Sequence, residues 1–73
     1  MELYQLRQFV AVAKYENMTR AAESLNVAQP AVSKTIRNLE SELGAELFER
    51  TGKGLRRTEQ GDILLRYART ILE

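Results

Sequence analysis

Cysteine, histidine and tryptophan are all absent from this chain of 73 residues, and proline occurs once. Without cysteine there is no disulfide and no thiolate nucleophile. Without histidine there is no Ser/His/Asp triad, and zinc sites of the Cys/His kind and haem ligation are excluded as well. The acids fall on helix surfaces and do not converge in a pocket, so neither an enzyme nor a metal or cofactor is expected. Long apolar runs are missing too: the longest, Phe9 to Ala13, is far short of the ~20 residues that span a bilayer. The segment from Met1 to Arg7 carries an acid and alternates polar with apolar residues, unlike a secretion signal, which leads to the expectation of a cytosolic protein with no membrane partner. Glycine is sparse at four residues and no low-complexity tract occurs, so no linker and no second domain are expected. Charge of one sign is lacking as well. The net value of +1 gives little hint of a nucleic-acid partner. So short a chain buries only about 60% of the surface its unfolded form exposes, and such domains often lean on a partner.

Apolar periodicity supplies the elements. Leu3, Leu6, Phe9, Val10 and Ala13 recur at steps that place them on one face of a helix from about Leu3 to Lys14. Asn17 can cap a second, short helix whose inner stripe is Ala21, Ala22 and Leu25, small residues that admit another helix closely. Asn26 tolerates the left-handed conformation of a helix end, and Pro30 suits the first turn of the next helix, so two helices flank a very tight turn. In that third helix Val32, Ile36, Leu39 and Leu43 form the expected core stripe and Gly44 the C-cap. The opposite face holds Pro30, Lys34, Arg37, Asn38 and Ser41, with Gln29 and Ser33 at its N-terminal end and no acid among them.

Between Glu46 and Thr58 the helical period vanishes and a hairpin is expected, its tip bracketed by Gly52 and Gly54. Arg50, Lys53, Arg56 and Arg57 make this segment locally basic. Thr58 can cap a last helix with Glu59 and Asp62 in its first turn, where the helix dipole favours acids. The apolar residues Ile63, Leu64, Leu65, Tyr67, Ala68, Ile71 and Leu72 cover too much of that helix for one core, so a second packing partner is implied.

Helix, helix, tight turn, helix and hairpin is the order of a winged helix-turn-helix: a mainly α fold of three helices and a two-stranded wing, followed here by a further helix. The stretch from Asn17 to Lys34 closely resembles the helix-turn-helix of LysR-type transcriptional regulators. Leu39 to Gly44, Leu47 to Arg50 and Thr58 to Gly61 resemble that family's next landmarks in the same order. The resemblance implies a winged DNA-binding domain over residues 1–58, with the helix-turn-helix at about 18–37 and the wing at about 46–58. Residues 59–73 are then expected to begin a linker helix, cut short here, that joins a homodimer. A small-molecule effector would act through a sensing domain not contained in these residues.

The same resemblance and the groove chemistry of double-stranded DNA suggest roles. Gln29 can pair with adenine and Lys34 with guanine, while Pro30 and Ala31 offer an apolar edge to a thymine methyl. Thr19, Arg20, Ser33, Arg37 and Arg50 are expected at phosphates, and Lys53 and Arg56 on the wing at the minor groove or backbone. Other readings remain open at this point: Pro30 also serves helix geometry, and Arg56 and Arg57 also protect a strand edge from pairing. The exposed helix of a winged domain can bind a protein instead, although such a face usually carries apolar anchors. For the dimer, Leu64, Leu65, Ala68 and Leu72 are expected to meet the partner while Ile63 and Tyr67 face the domain's own core.

Overall fold

The computed structural model describes residues 1–73. Its elements run in the order α1 (Leu3–Tyr15), α2 (Met18–Leu25), α3 (Gln29–Leu43), β1 (Phe48–Thr51), β2 (Gly54–Arg57) and α4 (Glu59–Leu72). This is the winged helix-turn-helix expected from the sequence. Helix starts follow from local chemistry: Asn17 Oδ1 accepts the Arg20 N–H at 2.9 Å, and Thr58 Oγ1 accepts the Gly61 N–H at 3.1 Å. Asn26 does take the left-handed conformation, with φ 57°, and the Val27 N–H donates to the Ala22 carbonyl at 3.1 Å to close the turn between α2 and α3.

Helix α1 touches each of the other helices. Its Phe9 and Val12 are fully buried together with Val32 and Leu39 of α3, and the small Ala21 and Ala22 let α2 lie close. The wing strands are antiparallel, pairing Phe48 with Arg57, Glu49 with Arg56, Arg50 with Leu55 and Thr51 with Gly54. Phe48 turns its ring inward against Phe9, centroids 5.4 Å apart and planes tilted by 45°, so the root of the wing belongs to the core. On its other strand the wing is tied to the corner between α1 and α2, where the Leu55 N–H donates to the Glu16 carbonyl at 3.3 Å. No helix is long and apolar enough to cross a membrane.

Three expectations need correction. Leu3 and Leu43, assigned to core stripes, are exposed, because each sits at a helix end beyond the packed layer. Leu43 instead borders a groove with Ala45, Leu47, Ile63, Leu64 and Tyr67. In α4 the expected rotation is reversed: Leu65 and Ala68 are buried in the domain's own core, while Ile63, Tyr67 and Ile71 face outward. The cause is Gly61. A Cβ there would stand 2.2 Å from the Leu47 carbonyl oxygen, so only glycine allows this face of α4 to approach, and residues in line with it turn inward.

Gly61→Ala is therefore expected to lower stability by about 1–3 kcal/mol, since the obstacle is backbone and cannot rotate away. Gly52→Ala at the wing tip, where an added Cβ meets nothing within 4 Å, is expected to stay within about 0.5 kcal/mol of the parent. Urea unfolding of the two variants checks the contrast, and equal midpoints would refute it.

Candidate nucleic-acid interface

The side chains of interest gather where the start of α2, the outer face of α3 and strand β1 meet. Gln29, Ser33 and Arg37 lie in line at successive turns of α3. Two adjoining clefts border this line, and Arg50 of β1 belongs to both: Thr19 and Gln29 flank it in one, Ser33 and Arg37 in the other. The structure thus brings together five of the predicted residues, Thr19, Gln29, Ser33, Arg37 and Arg50, from three separate stretches of sequence. Pro30, Ala31 and Lys34 are exposed on the next ridge of the same helix, and Lys53 stands exposed at the wing tip. Arg20 projects from the first turn of α2 with its guanidinium 5.7 Å from the centroid of the Tyr15 ring, a contact that restrains a long side chain without neutralising it.

Ion pairing separates these cations from Arg56 and Arg57 at the base of the wing. The molecule has three ion pairs: the α-amino group of Met1 with Glu42, Arg56 with Glu49, and Arg57 with Asp62. None involves Arg20, Lys34, Arg37, Arg50 or Lys53. Glu40, the acid nearest them on α3, instead accepts the Leu47 N–H at 2.8 Å and so guides the chain into the wing. The helix face is left with donors that have no internal carboxylate, an arrangement suited to an external polyanion.

Two wing residues are engaged elsewhere. Arg56 crosses the hairpin to Glu49, donating through Nη2 at 2.8 Å and Nε at 3.1 Å, which ties one of the predicted wing cations to an acid. Arg57 points to the opposite side. Its Nε donates to Asp62 at 2.7 Å and its Nη1 to the Ala13 carbonyl at 3.0 Å, so it fastens the end of the wing to α1 and α4. Sequence reasoning gave Arg57 a solvated or DNA-facing role. Asp62 five residues on was the available signal, but the carbonyl at Ala13 is visible only in the fold. Tyr15 was likewise missed as the seat of Arg20.

A short helix and an exposed second helix joined by a tight turn, with a basic hairpin beside them, define the winged helix-turn-helix class of DNA-binding domains. The model for the bacterial regulatory helix-turn-helix protein, lysR family, matches residues 3–62, and the chain belongs to that family. It is 51% identical over 71 residues to the RuBisCO operon transcriptional regulator of Allochromatium vinosum, covering 97% of this chain and 24% of that protein. It is also 52% identical over 63 residues to the HTH-type transcriptional regulator PcaQ of Agrobacterium fabrum, covering 86% of this chain and 20% of the relative. The chain thus spans about a quarter or less of the length of these relatives, which are transcriptional regulators and not enzymes. Among solved structures, the CbnR DNA-binding domain in complex with DNA superposes with a TM-score of 0.93 at 43% identity, over 99% of this chain and 83% of that one. The BenM DNA-binding domain with catB site 1 DNA gives 0.93 at 44% identity, over 99% and 81%.

The contrast between the two neighbouring arginines is testable. Arg57→Ala removes donors from a carboxylate and from a part-buried carbonyl and is expected to destabilise the domain by about 1.5 kcal/mol or more. Arg56→Ala breaks only an exposed pair and should cost about 0.2–1 kcal/mol. Thermal unfolding of each variant decides it, and equal losses would contradict the clamp assigned to Arg57.

Proposed function

We propose that residues 1–58 read double-stranded DNA sequence-specifically as one half of a homodimeric bacterial transcriptional regulator, with residues 59–73 beginning the helix that joins the two halves. The observation that carries this reading is the set of five cations without internal carboxylate partners around the exposed face of α3. The solved DNA complexes of similar domains support it. Helix α3 enters the major groove, where Gln29 addresses adenine, Lys34 guanine, and Pro30 with Ala31 a thymine methyl. Thr19 and Arg20 at the positive end of α2, with Arg37 and Arg50, hold phosphates on either side. Lys53 follows the minor groove or its backbone, and Arg56, held by Glu49, is the weaker wing contact.

The dimer assignment rests on the exposed ridge of α4. Ile63, Tyr67 and Ile71 are 40%, 66% and 57% exposed and lie in line at successive turns, beside the groove at Leu43 and half-buried Leu64. A second copy meeting this ridge satisfies it on both sides. Two α3 helices about 34 Å apart then read a palindrome. A cytoplasmic location follows from this function. Effector sensing belongs, on the same reading, to the additional length the relatives have.

Gln29→Ala is expected to weaken binding to a selected operator by about tenfold or more while leaving affinity for random duplexes nearly unchanged; Arg50→Ala should weaken both alike. Titrations at several salt concentrations should show log K falling steeply against log salt, by about 0.9 per phosphate contact, whereas a flat response would favour a protein partner. For the dimer, Tyr67→Glu combined with Ile71→Glu should shift sedimentation to a monomer. A parent chain that is monomeric both free and on DNA at micromolar concentration would sink this part of the reading.

A further inference from the structure

Gln29 and Ser33 do more than share a ridge. The Gln29 Nε2 donates to the Ser33 Oγ at 2.7 Å, across one turn of α3. A carboxamide has an oxygen and a nitrogen of nearly the same shape on a soft final torsion, so an unrestrained glutamine can present acceptor and donor in either order, or turn both N–H groups to one target. Ser33 favours one order: its oxygen accepts from Nε2 and so turns the carboxamide nitrogen toward the helix. With one N–H engaged, the amide keeps one donor and one acceptor for an outside partner. Adenine shows the complementary set in the major groove, an N7 acceptor and an N6 donor, whereas guanine shows two acceptors, N7 and O6.

We propose that Ser33 is a positioning residue that fixes the orientation of the Gln29 carboxamide, so that adenine is preferred over guanine at the base pair Gln29 reads. This rests on the reading of α3 as the DNA-reading helix. It replaces a direct phosphate role for Ser33 with an indirect role in specificity. The placement of Ser33 agrees: it is half-buried in the cleft beside Arg37 and Arg50, two residues better suited by charge to hold the backbone there.

The test uses the whole 73-residue chain and an operator recovered by selection from random duplexes, varied to all four base pairs at each step. Ser33→Ala is expected to reduce the adenine-over-guanine ratio by about three- to tenfold, at the same step where Gln29→Ala acts, with affinity for random duplexes unchanged. Added to Gln29→Ala, it should change that ratio no further, because the amide it orients is gone. Ser33→Thr, which keeps the hydroxyl, should retain the parent preference and separates lost positioning from a damaged helix. Weaker binding to every duplex alike would identify a direct phosphate contact and overturn the proposal, as would a changed preference at a step that Gln29→Ala leaves alone. If Gln29→Ala changes discrimination at no step, the base-reading role of Gln29 itself fails and the proposal with it. That result is distinct from a Ser33→Ala variant that keeps every ratio while Gln29→Ala does not.

Discussion

The approach of Gly61 to the Leu47 carbonyl, too close for any Cβ, is the constraint on which the geometry of both faces depends. It brings the first turn of α4 against the segment that leads into the wing. Around it the chain closes on itself: the Thr58 N–H donates to the Leu47 carbonyl at 3.0 Å, and the Thr58 hydroxyl donates to the Glu46 carbonyl while accepting from Gly61. The two ends of the hairpin are thereby held together at its root. Arg57 extends the same closure to α1 through Ala13. With no cysteine to form a disulfide across a domain of this size, these few backbone contacts help set where the wing stands relative to α3.

Charge follows from the same folding. An overall value of +1 would describe a neutral surface if acids and bases were mixed. They are not. Glu40, Glu49 and Asp62 are each used inside the domain, as a cap to the wing entry, as a cross-strand partner and as an anchor for Arg57. None of these three acids pairs with a cation of α2, α3 or Arg50 of β1, which keeps the charge of those cations available to an outside partner. A net charge near zero is therefore compatible with a polyanion-binding surface, and the limited basicity restrains non-specific affinity that would compete with sequence reading.

Much of this was legible from the chain itself. Helix limits came from Asn17, Asn26, Pro30 and Gly44, residues whose backbone or capping chemistry acts locally and needs no fold to be read. The gathering of Arg50 with Gln29, Ser33 and Thr19 was implied by the order of elements. What failed was rotational phase. In α4, seven apolar residues surround the helix, and periodicity alone does not say which half turns inward; Ile63 and Tyr67 were expected there, and Leu65 and Ala68 are found instead. The deciding residue was the one with no side chain, since only the close approach at Gly61 sets the rotation, and that approach is a tertiary fact. Arg57 was misread for a similar reason, its carbonyl partner lying 44 residues away.

The corrected phase of α4 also ties the two proposed faces to each other. Gly61, Leu65 and Ala68 point into the core while Ile63, Tyr67 and Ile71 point out, so the ridge offered to a second copy is rigidly related to the helix side that grips the wing root. Leu47, at that root, is fully buried and lines the floor of the outer groove as well, and its neighbour Phe48 packs on Phe9 beneath α3. Were a second copy to bind there, a shift along the ridge would reach the wing through the packed residues Leu47 and Phe48. It would move the wing root or be resisted by it, because a packed core transmits displacement and does not deform continuously. In a dimer built on this ridge, the spacing of the two reading helices is accordingly a property of the core at Gly61 and Leu47 as much as of the interface, and a change at either would be felt in the distance between half-sites.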